Sequence, residues 1–357
     1  MRVERIDSEG FRSWRHDLDA VFEVLQQIAL GRRPVRTIVI NDRISLGLPA
    51  DNEMATLVLD LYRPMKCRAR LLARGIRAFL RIGGYFALKK HPDFNSAPEI
   101  SWLRECSEIG FLGCNPDHGL RCVLLSRESN QNIKVTKLAV GKNVDAILAE
   151  GNFLRSESKK YRGVPKLSGI ETGEGWAAIC LAHFPDSGPR DFKNGEEIEL
   201  LEGWLAEESV LLENVTWLRP FFFRLNSEFR KRFRGVGVRK ALLHGDFAPW
   251  NLRKNESGLA AIDWEWARAD GIGGLDLGHG MVMTAKLVDE LSGAQLVDVL
   301  FERVQQQPYQ NYLKKCGWDD LNLWLFLGIS YSKKFSGLDF EEELKVLENR
   351  MELSLWN

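Results

Sequence analysis

Apolar positions Leu18, Val21, Phe22, Val24, Leu25 and Ile28 recur at helical spacing and predict an amphipathic helix over residues 14–30. A β-branched run from Thr37 to Ile40 predicts a short strand ending at Asn41-Asp42. Between 107 and 140 the pattern predicts three strands, at about 108–113, 120–126 and 133–140, with Gly119 and the polar run Glu128–Asn132 as turns. A helical pattern follows over 143–157, and then an apolar strand, GWAAICLAHF at 175–184, closed by the turn residues Pro185–Pro189. From about 195 onward the helical period dominates, broken by two short β-like pieces at 241–246 and 259–265. A mostly β stretch followed by a mostly α stretch predicts the α+β class.

Residues 61–90 change this picture. Nine positive charges (Arg63, Lys66, Arg68, Arg70, Arg74, Arg77, Arg81, Lys89 and Lys90) occur there, with no acid between Asp60 and Asp93. Leu71, Leu72, Ile76, Phe79, Leu80 and Ile82 are interleaved at helical spacing. Two readings are open: a solvated helix packed on the body of the protein, or a peripheral contact with an anionic membrane surface. His91–Pro98 reads as a linker, with a domain boundary near 100.

Lys+Arg and Asp+Glu are balanced at 49 each, so there is no overall basic footprint and no nucleic-acid partner is expected. Residues 190–357 carry 21 basic and 27 acidic side chains, a net −6, which leaves +6 for the first 189. The six cysteines show no C-x-x-C spacing and read as reduced thiols. The charged start of the chain has no apolar signal core, and no run of apolar residues is long enough to span a bilayer. The expected location is the cytoplasm, including the inner membrane face.

The candidate chemistry lies in His244-Gly245-Asp246-Phe247-Ala248-Pro249-Trp250-Asn251, followed twelve residues later by Ile262-Asp263-Trp264-Glu265. Phosphoryl transfer from ATP needs magnesium held against the phosphates and a carboxylate that orients the attacking hydroxyl. Magnesium takes hard oxygen ligands, which an Asp carboxylate and an Asn amide oxygen supply.

At these residues the chain resembles the aminoglycoside phosphotransferase and choline kinase group, whose pattern is HGD, four residues and Asn, then apolar-Asp-Trp/Phe-Glu and a later Asp-Leu. HGDFAPWN, IDWE and Asp276-Leu277 match it. The resemblance covers about residues 105–300. It implies a two-lobed protein-kinase-like fold with a β-rich small lobe at 101–184 and a mainly helical catalytic and substrate-binding lobe at 185–357. Residues 1–100 form an N-terminal extension of unassigned role. The implied cofactors are ATP and Mg2+, with Asp246 as catalytic base and Asn251 and Asp263 as metal ligands. Asp276 is implied as a loop-orienting acid, His244 as a support for the loop, and Trp250, Trp264 and Trp266 as packing.

The small lobe of such a fold supplies a strand lysine to the phosphates and a helical acid that pairs with it. Lys137 in IKVTKLAV and Glu150 in AILAEGNFL are the candidates, with Lys134 and Glu157 as alternatives. Lys134 and Lys137 fall on opposite faces of a period-two strand, so only one of them points to the cleft. The loop from Gly113 to Gly119 is the candidate phosphate cover, although it is not G-x-G-x-x-G. The strand end from Cys180 to Phe184, with Ala182 and His183 at its centre, is the candidate hinge whose backbone bonds adenine.

Protein kinases carry an Arg in the catalytic loop, D-F-G at the metal site and an A-P-E element. Here Gly245 and Asp263-Trp264-Glu265 stand at the first two, and no A-P-E occurs. The expected partner is therefore a small-molecule hydroxyl acceptor. Acidic clusters at Asp319-Asp320 and Glu341–Glu343 would suit an aminoglycoside or read as helix ends. Phe221, Phe222, Phe223, Trp318 and Trp324 would suit an amino alcohol such as choline or read as an apolar stripe. The basic segment at 61–90 favours a sugar or lipid-linked sugar of envelope polysaccharide synthesis. A non-catalytic nucleotide-binding protein on the same scaffold is the reading of another class, although none of Asp246, Asn251, Asp263 and the strand lysine is missing.

Overall fold

The computed structural model describes residues 21–41, 44–90, 96–114, 120–184, 191–192, 195–222, 231–255 and 258–353. By its contacts the chain divides into two compact units, Met1–Ser158 with Pro165–Asp186 and Lys159–Val164 with Ser187–Asn357.

The first unit is built on one antiparallel sheet of eight strands. In chain order these are β1 (Arg36–Asn41), β2 (Ile44–Leu48), β3 (Lys89–Lys90), β4 (Glu108–Cys114), β5 (Arg121–Arg127), β6 (Ile133–Val140), β7 (Leu167–Gly173) and β8 (Trp176–Ala182). The spatial order is β3-β1-β2-β4-β5-β6-β8-β7. The strands read as apolar on both faces because both faces are covered. Ile109, Phe111, Cys122, Leu124, Leu138 and Val140 join one core with the helical residues 21–30 and with Ile100 and Leu103. Leu46, Leu48, Leu112 and Leu125 join a second core beneath helices α1 (Asn52–Leu61) and α2 (Cys67–Arg81). Asp51 starts α1 by accepting a hydrogen bond from the Met54 amide at 2.7 Å. A third helix, α3 (Val144–Glu157), packs on β6, β7 and β8.

The separation expected near residue 100 is absent. Strand β2 pairs with β4, with Ile44 opposite Cys114 and Leu46 opposite Leu112, so the extension continues the sheet instead of preceding it. The physical reason is that β4 would otherwise be an open edge, and an open edge invites pairing. Of the expected linker, residues 91–95 lie outside the described residues, as do 14–20 of the expected first helix. Residues 21–25 are α-helical and Gln26–Leu30 form a π-helical turn.

The second unit has a three-stranded sheet in the order β13-β10-β9, made of β9 (Leu205–Leu211), β10 (Gly237–Leu243) and β13 (Arg268–Ile272). A hairpin of β11 (Leu252–Asn255) and β12 (Gly258–Ala261) lies between β10 and β13 in sequence. Its longer helices among the described residues are α4 (Glu196–Glu202), α5 (Leu275–Leu287), α6 (Gly293–Val304), α7 (Gln307–Cys316), α8 (Leu321–Ser336) and α9 (Glu341–Leu353). A β-rich unit and a mainly helical one make up the expected α+β class. Helix α5 begins against two buried indoles: Trp318 donates to the Gly273 carbonyl at 2.8 Å and Trp324 to the Gly274 carbonyl at 2.9 Å. Both are packing residues rather than walls of a cation cage, and they fix where α5 presents its first turn.

Candidate active site

In the second unit, strand β10 ends at Leu243 and leads directly into His244-Gly245-Asp246. The turn is held from below by Asp276 in the first turn of α5. Its carboxylate accepts from the amides of His244 at 2.7 Å and Gly245 at 3.0 Å. Burial pushes the Asp276 carboxyl up to about 6, against the lowering effect of the two amides. Gly245 has φ of +92°, and a Cβ there would lie 2.5 Å from the Trp266 carbonyl oxygen, so only glycine fits.

The His244 ring joins this loop to the next one. Its Nδ1 accepts from the Asp246 amide at 3.2 Å, so Nε2 carries the proton and donates to the Ile262 carbonyl at 2.8 Å. The ring is fully buried and meets the Trp264 indole edge-on at 4.7 Å. It supports the loop and is not exposed to a substrate.

Asn251 lies in a short turn between Asp246 and β11. Its Nδ2 donates to both the backbone oxygen and Oδ2 of Asp246, each at 2.9 Å. These bonds leave the amide oxygen Oδ1, a hard oxygen donor, outside the contact with Asp246. The hairpin then brings Asp263 close to Asn251 in the ladder. Leu252 pairs with Ala261, and the Ile262 amide donates to the Asn251 carbonyl at 2.8 Å, so Asp263 is one residue beyond the rung that holds Asn251. Asp263 sits past the strand end, with φ of +70°. Asp is among the few residues that tolerate this left-handed region, which turns the chain sharply and redirects the side chain.

Among the described residues no group of three or more His, Cys, Asp or Glu forms a metal cluster. An Asn amide oxygen with one Asp carboxylate fits magnesium better than a cluster would. That ion keeps its waters and is bound through one or two protein ligands plus substrate phosphates.

A residue absent from the sequence reading joins the centre. His279 in α5 places Nε2 3.0 Å from Oδ1 of Asp246 and Nδ1 3.0 Å from the Ser332 hydroxyl. The Asp246 carboxylate is thus held by Asn251 on one oxygen and by His279 on the other, and a third of its side-chain surface still faces solvent. The available signal was spacing: Asp276 and His279 are three apart and share a helix face.

Beside this loop is an aromatic group. Tyr331 donates from its hydroxyl to the Gly245 carbonyl at 3.1 Å, and its ring lies 4.2 Å from Phe335 and 6.2 Å from Phe221. Trp266, half exposed, meets Phe335 edge-on at 5.7 Å. Trp217 meets the Tyr331 ring edge-on at 6.4 Å, and two rings of this group carry cations: Lys334 lies 4.7 Å over Phe221 and Arg268 lies 5.0 Å over Trp217. A cleft of about 830 Å³ opens along Phe221 and Phe326, lined by Lys333, Lys334 and Lys345 and by Glu341 and Glu348, with Lys333 paired to Glu341. One residue of each acidic cluster has a structural role. Asp320 caps α8 through the Asn322 and Leu323 amides at 2.9 and 3.2 Å, and buried Glu343 accepts from Lys286 and the Gly293 amide at 2.8 and 3.0 Å.

In the first unit, Lys137 on β6 bonds both oxygens of Glu150 on α3 at 2.7 Å. Glu150 is 1% exposed and Lys137 12%. Lys134, on the opposite face of β6, pairs with Glu128 instead. Two other expectations change. Gly113 lies within β4 and pairs with Ser45 on one side and Cys122 on the other, so it is a ladder position and not a loop. The rest of that loop, 115–119, lies outside the described residues. At the expected hinge β8 ends at Ala182, whose amide already donates to the Lys166 carbonyl at 3.2 Å. His183 follows, half-buried, just past the strand.

No family model matches the chain, and no curated protein matches it. Several solved structures are similar to it. A fructosamine-3-kinase homologue from Haemophilus somnus is 12% identical, over 64% of this chain and 87% of that one, with a TM-score of 0.41. The amicoumacin kinase hAmiN, in complex with AMP-PNP, Ca2+ and Ami, is 11% identical over 64% and 83%, with a TM-score of 0.39. The ethanolamine kinase of Plasmodium vivax is 11% identical over 66% and 79%, with a TM-score of 0.40. These neighbours are small-molecule kinases. At TM-scores below 0.5, the chemistry of this chain rests on its own residues.

Proposed function

We propose that this chain is an ATP- and magnesium-dependent phosphotransferase that moves the terminal phosphoryl group of ATP to a hydroxyl of a small molecule. The observation that supports this reading is the bonded group Asp246–Asn251–Ile262, which joins the acid to the amide and sets the backbone of Asp263 one residue beyond.

Asp246 takes the role of base. Its carboxylate is fixed by Asn251 and His279, and its exposed part is available to accept the proton of the attacking hydroxyl as the oxygen–phosphorus bond forms. Asn251, through Oδ1, and Asp263 would hold magnesium, which supplies neutralisation of the phosphate charge. Asp276 and His244 hold the loop without touching substrate. Lys137, set by Glu150, contacts nucleotide phosphate, and the backbone near His183 serves the adenine.

The acceptor class this reading favours is a sugar or lipid-linked sugar, with an aminoglycoside or amino alcohol as the alternative. An aminoglycoside or a choline-type amine is a polycation or a cation. Of the rings grouped beside the loop, Phe221 and Trp217 are occupied by Lys334 and Arg268, and within the acidic clusters Asp320 is a helix cap and Glu343 a buried partner of Lys286.

A screen of hydroxylated metabolites for acceptor-stimulated ADP release tests this. Turnover is expected with a sugar-type acceptor, and Asp246→Ala lowers it by at least about 10²-fold while ATP binding is kept. Normal turnover in Asp246→Ala would remove the assigned role. Nucleotide binding without release of ADP for any acceptor would favour a non-catalytic scaffold.

A further inference from the structure

Helix α2 buries only a narrow stripe. Ile76 and Leu80 join the second core of the first unit, Ala73 is buried beside them, and no other side chain of the helix is fully buried. Its remaining large apolar side chains face water. Leu71, Leu72, Phe79 and Ile82 are exposed, and so is Phe86 in the turn that follows; Ile82 is 84% and Phe86 76% exposed. These are five of the seven exposed large hydrophobics among the described residues, so the feature is local to this segment. At 100° per residue, Leu71, Ala78 and Ile82 fall on one line along the helix, with Phe79 and Leu72 to one side.

This ridge is built into the fold. The ring of Phe79 lies against Gly84, where a Cβ would come within 2.5 Å of it, so the turn Gly84–Ala87 is seated on the helix. Arg36 secures the same turn from β1 by donating to the carbonyls of Phe86 and Leu88 at 2.7 and 2.6 Å.

The charges beside the ridge are all of one sign. Arg74 and Arg81 flank it on the side away from Leu72, while Lys66, Arg68, Lys89 and Lys90 are also exposed. Arg68, Arg74 and Arg81 make no ion pair with any described residue, whereas Arg77 is taken by Asp60. An apolar ridge edged by arginines matches the boundary between anionic headgroups and acyl chains: the side chains enter the hydrocarbon edge while the guanidinium groups meet phosphates. No described helix is long and apolar enough to cross a membrane, so the contact would be peripheral.

We propose that α2 and the turn Gly84–Ala87 form a docking surface for an anionic lipid bilayer, with Leu71, Phe79, Ile82 and Phe86 inserted and Arg68, Arg74 and Arg81 on lipid phosphates. The proposal stands apart from the phosphotransferase reading, since a protein with no kinase activity would dock in the same way.

The test is cosedimentation of the full chain with vesicles of phosphatidylglycerol and phosphatidylcholine, or of phosphatidylcholine alone, at low and high salt. Binding is expected to the anionic vesicles only. Arg74→Gln with Arg81→Gln should weaken it by about 30-fold at low salt, from the typical contribution of two basic residues near such a surface. Ile82→Ser with Phe86→Ser removes only exposed side chains and should abolish the binding that survives high salt, with circular dichroism unchanged. The proposal fails if the intact protein does not sediment with anionic vesicles at low salt, or if Ile82→Ser with Phe86→Ser binds like the original. It fails equally if light scattering shows a dimer that this double variant dissociates, because the ridge would then be covered by a second copy of the chain.

Discussion

The Lys137–Glu150 pair gives a prediction whose size follows from burial. Glu150 is 1% exposed and both its oxygens lie 2.7 Å from the Lys137 ammonium. Lys137→Met keeps most of the aliphatic stem and removes the positive charge, leaving the buried carboxylate without it. Breaking a buried ion pair from one side costs about 3–5 kcal/mol, because the remaining charge keeps its desolvation penalty. Adding Glu150→Gln removes that charge and keeps the shape, so the double variant should recover at least about half of the loss. Urea unfolding gives the free energies, and hydrogen exchange of peptides spanning 133–157 localises the effect to β6 and α3. A cost below about 1 kcal/mol for Lys137→Met, or a double variant no more stable than the single one, would refute the reasoning. Lys137 would then contribute through packing or be solvated.

Two further outcomes follow from the second unit. Asp276 has its carboxyl raised to about 6 from an ordinary value of 3.8, so between these values the folded chain binds more protons than the unfolded one. Stability from this group is therefore fully present at low pH and declines as pH rises through about 6, by about 3 kcal/mol. Asp276→Asn should remove that decline, read as the difference between the two urea-midpoint profiles from pH 4 to 7. Equal slopes for both proteins would contradict it. His279→Ala leaves one oxygen of Asp246 without its charged-group hydrogen bond, and turnover should fall by about 10-fold or more while the KM for ATP stays within about 2-fold. A change in KM alone would show that His279 shapes binding and does not position the base.

Much of the first unit was legible because its central strands are apolar on both faces and bounded by turn residues. Strand β6 occupies the 133–140 expected from IKVTKLAV, and α3 differs from its expected span by one residue. The edges were not legible. Strands β7 (LSGIETG) and β9 (LAEESVL) each pair on one side only and carry polar side chains, so they lack the alternation that marks a half-buried strand. The eight-stranded sheet was missed for a related reason: β2 finds β4 across some sixty residues, and local pattern does not encode such a partner. Gly113 was misplaced across an element boundary, since it lies inside β4, which ends at Cys114, instead of opening the loop.

In the second unit the motif residues were legible from their order and spacing, but the bonds that join them were not. His279 escaped notice because its partner Asp246 is 33 residues away, although Asp276 on the same face of α5 was marked. The acidic clusters at Asp319-Asp320 and Glu341–Glu343 look like a cation site in sequence. In the structure Asp320 is a helix cap and Glu343 a buried partner of Lys286, which only tertiary contacts reveal.

The most direct test of the central claim is calorimetric titration of ATP into the intact protein and into Asp263→Ala, each with and without magnesium. The claim predicts that magnesium tightens nucleotide binding to the intact protein, and that Asp263→Ala loses this metal-dependent part while its circular dichroism is unchanged. Identical magnesium-dependent binding by both proteins would show that Asp263 holds no metal beside the nucleotide, and the assignment of Asp246, Asn251 and Asp263 as a phosphotransfer centre would fall.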